Sequence, residues 1–153
     1  MKSILQAVIF AFCAASLSFS ADSDFSGIWS LDEARSEIRR SLDTPWKRIK
    51  VEHKNTEIRC VPVEAQPASK RAEMHFATNG KETVHPIGDA SGKSIAKWEG
   101  AALMINTIVS GQRQSYTQMD RWKLSRDGKV LTVRRQIVTL HGEIESTLVY
   151  DKQ

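Results

Sequence analysis

A chain of 153 residues is long enough for one domain with a real core and too short to suggest several. Its 22 basic and 18 acidic residues leave a net charge of +4, and adjacent bases come only in pairs, Arg39-Arg40, Lys47-Arg48, Lys70-Arg71 and Arg134-Arg135. So thin a scatter reads as a solvated surface, and it excludes the dense basic stripe that a nucleic-acid partner requires.

The first residues read as a secretory signal peptide over 1–20, with the mature domain at 21–153. Met1-Lys2 is basic, Ile4 to Leu17 is apolar apart from Gln6 and Ser16, and Ser18-Phe19-Ser20 puts small residues at −3 and −1 of a cut before Ala21. The apolar run is shorter than the roughly 20 residues of a bilayer span, so no integral membrane span is expected in the mature chain. The expected location is periplasmic or secreted. Phe12 before Cys13 is too large for a lipoprotein cleavage site. Cys60 is then the one mature cysteine. It cannot form an internal disulfide, and its alternation with Ile58 predicts burial.

Asp24 to Leu31 reads as a short strand. Asp32 to Arg40 has helical composition but little apolar periodicity, which predicts a short helix or an irregular lid. Trp46 to His53 alternates as a strand, with Ile49, Val51 and His53 on one face. Glu57 to Val63 follows, with Pro62 marking an edge or bulge. Glu64 to Ser69 is a loop. Lys70 to Thr78 alternates again, Asn79-Gly80 is a hairpin signal, and Glu82 to Pro86 is a short return strand that leaves His85 as a loop residue. From Lys93 to Gln153, strand-like runs are punctuated by Glu99-Gly100, Ser110-Gly111, Asp127-Gly128 and His141-Gly142. About ten strands at spacings of about 8–12 residues predict an all-β sandwich or barrel.

Parity fixes which face each strand turns inward. Within Gln114–Leu124 and Val130–Thr139, a two-residue loop at Asp127-Gly128 sets Leu124 opposite Leu131, Trp122 opposite Val133 and Gln118 opposite Ile137, and a four-residue loop from Ser125 to Gly128 shifts the pairing by two with every side chain on the same face. A shift by one residue would instead set Lys123 and Arg121 against apolar partners. The same reasoning adds Ser94, Ala96 and Trp98, then Leu103, Ile105 and Thr107, then Ile144, Ser146, Leu148 and Tyr150. The other face carries Lys97, Arg113, Arg121, Lys123, Arg134, Gln136, Glu145 and Asp151. Such an outer wall lacks the apolar band of an outer-membrane barrel. Asp120 and Arg135 fall on the inner wall, opposite or diagonal to each other. They are either an internal ion pair that fixes register or a ligand's polar contact. Trp98, Tyr116, Trp122 and Tyr150 either fill the core or line a pocket.

Gly27-Ile28-Trp29 followed by an antiparallel meander resembles the lipocalin and wider calycin group. Lys97-Trp98-Glu99-Gly100, Asp120 to Ser125 with Asp127-Gly128-Lys129, and Val149-Tyr150-Asp151-Lys152 look like a family of short exported bacterial proteins described as lipocalin-like. The resemblance implies a single up-and-down meander closing into a barrel of about 8–10 strands. It also implies an Arg packed on Trp29, for which Arg135 and Arg121 are the candidates. The Thr-Asp-Tyr type motif and the C-terminal helix of lipocalins are missing.

The four histidines, His53, His75, His85 and His141, lack ligand spacing, so no metal or other cofactor is expected. No nucleophile motif or phosphate loop is present. The expected function is binding of a small hydrophobic or amphipathic ligand by Trp98, Ile105, Tyr116, Gln118, Asp120, Trp122, Arg135 and Tyr150. The alternatives are a filled structural or interaction barrel, and an enzyme using Asp120 and Arg135.

Overall fold

The computed structural model describes residues 23–39, 45–63, 73–113 and 115–153. The expected signal peptide, the loop at Glu64–Ser69, the start of the Lys70–Thr78 strand and Gln114 lie outside these residues. Ten strands are present: β1 (Gly27–Leu31), β2 (Arg48–Lys54), β3 (Glu57–Pro62), β4 (Met74–Ala77), β5 (Asn79–Ile87), β6 (Ala90–Glu99), β7 (Ala102–Ser110), β8 (Ser115–Leu124), β9 (Val130–Thr139) and β10 (Gly142–Lys152). They form one sheet in the order β4-β3-β2-β1-β10-β9-β8-β7-β6-β5, every pair antiparallel. The result is an up-and-down meander curled into a nearly closed barrel. Among the described residues no helix is long and apolar enough to cross a membrane.

Inward-facing residues follow the parity expected from the turns. Leu124 pairs with Leu131, Trp122 with Val133, Asp120 with Arg135 and Gln118 with Ile137. Ile144, Ser146, Leu148 and Tyr150 sit opposite Ile137, Arg135, Val133 and Leu131. Leu103, Ile105 and Thr107 join Trp98, Ala96 and Ser94 on the same side. Burying this apolar set is the main favourable term, and a one-residue slip would expose all of it.

Two local expectations are corrected. Asp32 to Arg39 is a turn followed by a β-bridge, with no helix. The Asp32 carboxylate accepts the backbone N–H groups of Ala34 and Arg35, and the Arg35 guanidinium ties Asp32 to Asp151. Glu37 and Thr147 then exchange both backbone hydrogen bonds. An aspartate that satisfies nearby amides with its own side chain competes with helix formation, and here β10 supplies the alternative ladder.

The second correction concerns Asn79-Gly80, which does not pair β4 with β5 as a hairpin. These two strands are the opposite edges of the sheet. The chain turns a corner at Thr78, and the β5–β6 register shifts between Asn79 and Glu82. Gly80 takes φ +81°, and the Asn79 side chain accepts the Lys81 N–H at 3.1 Å. These turn-forming features build a bulge in place of a hairpin because Thr78 N–H is already committed to the Thr56 carbonyl at 2.8 Å. The Thr83 hydroxyl crosses the seam to the His75 carbonyl at 2.7 Å. A four-residue β4 and Pro86 in β5, which has no N–H to offer, keep both edges unattractive to another strand.

One end of the barrel is plugged. Phe25 is fully buried, stacked on Trp98 at 5.7 Å and edge-on to Trp122 at 5.6 Å. The Trp29 indole N–H donates to the Phe25 carbonyl at 2.9 Å. The cation over Trp29 is neither Arg121 nor Arg135 but Lys152, whose Nζ lies 5.4 Å from the ring centre. Arg121 points outward to Glu99, and Arg135 is held by Asp120.

Candidate binding cavity

Above this plug the interior is not filled. A cavity of about 260 Å³ lies between the floor aromatics and the end of the barrel that carries the β5–β6 turn. Its apolar lining comes from strands on all sides: Ile49 of β2, Cys60 of β3, Phe76 of β4, Val133 of β9 and Leu148 of β10. It reaches the surface beside exposed Pro86 and Gly88, opposite Pro45 and Trp46. The two core clusters explain why space remains. Phe25, Trp29, Leu103 and Leu131 pack the floor, while Val109, Tyr116 and Ile137 form a separate knot under the far turns. Polar side chains occupy the level between them.

The most ordered of these is the pair expected from register. Arg135 Nε donates to Asp120 Oδ1 and Nη2 to Oδ2, both at 2.8 Å. Gln118 Nε2 adds a bond to Asp120 Oδ2 at 3.0 Å. A parallel two-point contact of this kind is the strongest geometry the two groups have. Asp120 is buried and Arg135 partly so, and as a pair their two charges offset each other toward the cavity. Nearby, the Ser94 and Thr107 hydroxyls bond each other at 2.7 Å. The Tyr150 hydroxyl donates to the Trp46 carbonyl at 3.2 Å, tying β10 to the rim.

Of the residues expected at a ligand site, Tyr116, Gln118, Asp120, Trp122, Arg135 and Tyr150 line the cavity. Trp98 and Ile105 do not. Trp98 belongs to the floor, and Ile105 is packed within the wall opposite Asp120 and Ala96. Sequence reasoning missed Phe76, Cys60 and above all His85. A signal for His85 existed: a two-residue turn at Gly88-Asp89 sets Ile87 against Ala90, His85 against Gly92 and Thr83 against Ser94, on the inner face.

His85 is only 3% exposed and meets the edge of the Phe76 ring at 5.3 Å. Neither ring nitrogen has a hydrogen-bond partner of good geometry among the described residues. Burial, with the charge of His75 beside it, holds its pKa below the ordinary histidine value against the opposing effect of the His75 backbone. The Trp122 indole N–H is also buried and unpartnered. Cys60 is fully buried, and loss of solvation pushes its thiol pKa far up, so it stays an inert thiol. Among the described residues no three of His, Cys, Asp and Glu converge as metal ligands would. Compared with known protein families and with curated proteins, the chain matches none.

Proposed function

We propose that this protein is an exported lipocalin-like barrel that holds one small hydrophobic or amphipathic molecule in its interior. The observation that carries the reading is the cavity itself, about 260 Å³, apolar on several sides and lined by a few polar groups. Export is supported by the leader-like residues 1–20, and the lipocalin-like assignment by Gly27-Ile28-Trp29 at the head of an up-and-down barrel. A barrel acting only as a filled scaffold would leave no such space. Catalysis by Asp120 draws no support from its surroundings, because both carboxylate oxygens are engaged by Arg135 and Gln118.

Size limits the ligand. A cavity of about 150 Å³ accepts benzene, so this one suits about ten non-hydrogen atoms. Trp46 and Trp122 line it, which makes intrinsic fluorescence a direct reporter. Titrating the purified mature protein with medium-chain alcohols, alkylphenols and short isoprenoids tests the reading. Saturable quenching together with a raised Tm is expected. Failure of every compound of this size to change either signal would reject it.

A further inference from the structure

Bases that lie scattered along the chain are gathered by the fold at the plugged end of the barrel. Lys54 stands at the β2–β3 turn and Lys81 near the start of β5. Lys97 and Lys123 lie on the outer faces of β6 and β8, next to Trp98 and Trp122, and Arg126 is in the β8–β9 turn. All five are exposed, and none is in an ion pair among the described residues. Lys129 joins them in the β8–β9 turn and Lys152 at the end of β10. Room is made for two of the stems by glycine. The Lys97 chain crosses Gly80 and the Lys152 chain crosses Gly27, 2.8 Å and 2.6 Å from where a Cβ would stand.

The acids of that end leave the excess in place. They are Asp24, Glu57, Glu99 and Asp127. Glu99 is engaged by the Arg121 guanidinium at 2.9 Å, and Asp127 by the Ser125 hydroxyl and the Lys129 N–H. The turns at the mouth end carry no such excess, with Asp89 and Glu143 against Arg113 among the described residues. Positive charge is therefore concentrated at one end of the barrel axis, where its self-repulsion works against the fold.

The shape of this patch selects its partner. The bases ring the end of a barrel, on β2, β5, β6, β8 and β10, so they face a plane rather than a groove. A linear polyanion is matched by a stripe, whereas a bilayer with anionic lipid presents a plane of phosphates. The chain outside the described residues points the same way. The apolar run Ile4–Leu17 ends eight residues before Phe25, which belongs to the plug. Eight residues span at most about 28 Å. With that run read as a leader, the plugged end is the one a membrane-held precursor keeps near the bilayer. The rival orientation rests on Leu140, which is 98% exposed at the β9–β10 turn, but Glu143 and Glu145 beside it oppose an anionic surface.

We propose that the plugged end docks on a bilayer surface rich in anionic lipid, with the mouth of the cavity turned to the aqueous phase. None of the large exposed apolar side chains lies in the turns of that end, so the contact is electrostatic, reversible and weakened by salt. It does not depend on what the cavity holds.

The test is cosedimentation of the full mature protein with vesicles of phosphatidylcholine alone and with about 30% phosphatidylglycerol, at low salt and at roughly 0.3 M salt. Binding at least tenfold tighter to the anionic vesicles is expected, and it should be lost at the higher salt. Lys123→Glu/Arg126→Glu should weaken it at least tenfold. Arg39→Glu/Arg113→Glu makes the same change of charge toward the mouth end and should weaken it less than threefold. On the bound wild-type protein, amide exchange should slow at Arg126–Lys129 and stay unchanged at Leu140–Gly142. Absence of binding to the anionic vesicles overturns the proposal, as does binding that ignores salt. Equal losses in the two double variants, or protection at Leu140–Gly142 in place of Arg126–Lys129, overturn the assignment of the end. Tighter binding to soluble polyphosphate than to the vesicles overturns it in favour of a soluble polyanion. The exchange pattern decides the orientation even if a variant fails to fold.

Discussion

The ammonium of Lys152 lies 5.4 Å from the centre of the Trp29 ring, and its alkyl chain crosses the place where Gly27 has no side chain. A Cβ added at Gly27 would stand 2.6 Å from Lys152 Cε, and Gly27 has φ +147°. The Gly-x-Trp pattern therefore has two separable causes here, a lysine that must pass and a backbone angle that a side chain resists. Gly27→Ala is expected to destabilise the protein by about 1–2 kcal/mol, chiefly through the backbone. Lys152→Ala should cost about 0.5–1 kcal/mol through the lost cation–π contact. Urea unfolding of the double variant separates the causes. Full rescue of Gly27→Ala by Lys152→Ala would show that the clash, not the backbone, sets the cost.

Arg135→Met strands the buried Asp120 carboxylate and is expected to cost about 3–5 kcal/mol. Asp120→Leu should cost a similar amount by stranding the guanidinium. The double variant Asp120→Leu/Arg135→Met removes both charges and should be more stable than either single variant. Additive losses in a denaturant-based cycle would mean that the two residues do not act as a pair.

His85 predicts a direction of pH dependence. Facing it are Phe76 of β4 and, around the Gly92 contact, Ile87; His75 is the titratable neighbour. Its folded pKa lies below the unfolded value of 6.5. As pH falls through the unfolded value, the unfolded chain takes up a proton before the folded one does. Stability is therefore complete above about pH 6.5 and declines on acidification toward the folded pKa. In thermal melts between pH 8 and 5, His85→Phe should lose less Tm on acidification than the wild type. The other histidines are common to both proteins, so parallel curves would remove His85 as the cause.

Thr83 holds the seam between the two edge strands with a single hydroxyl. Thr83→Val keeps the shape and removes that bond, so a loss of about 0.5–1.5 kcal/mol is expected. Amide exchange should rise first in β4, whose four residues have a ladder on one side only. Unchanged exchange across Met74–Ala77 would show that the seam is held by packing alone.

Much of this architecture was legible because the period of a strand is two and the turns stand at countable places. Parity alone put Asp120 and Arg135 on one inner face, opposite or diagonal to each other, and turned the charged residues of five strands outward; the structure decided that they stand directly opposite. Alternation is a local property, and it says less where the chain departs from a simple hairpin. Asn79-Gly80 has the composition of a hairpin turn and forms a bulge, because the β2–β3 turn had already engaged Thr78. Asp32 to Arg39 has the composition of a helix and forms a bridge, because β10 extends beyond β1 and offers a free edge.

The candidate site divides along the same line. The sequence by itself determined the strands, their pairing through the meander and the inward set that includes Tyr116, Gln118, Asp120, Trp122, Arg135 and Tyr150. Only the tertiary structure decided which inward residues meet empty space. Phe25, from the segment before β1, enters the barrel and stacks on Trp98, which closes the floor and takes Trp98 away from the cavity. The corner at Thr78 brings β4 beside β5, and so sets Phe76 against His85 at the seam. Pairing between neighbouring strands is a nearest-neighbour property that alternation encodes. A cavity is what remains after side chains from non-adjacent strands have packed, and no periodicity along the chain records that remainder.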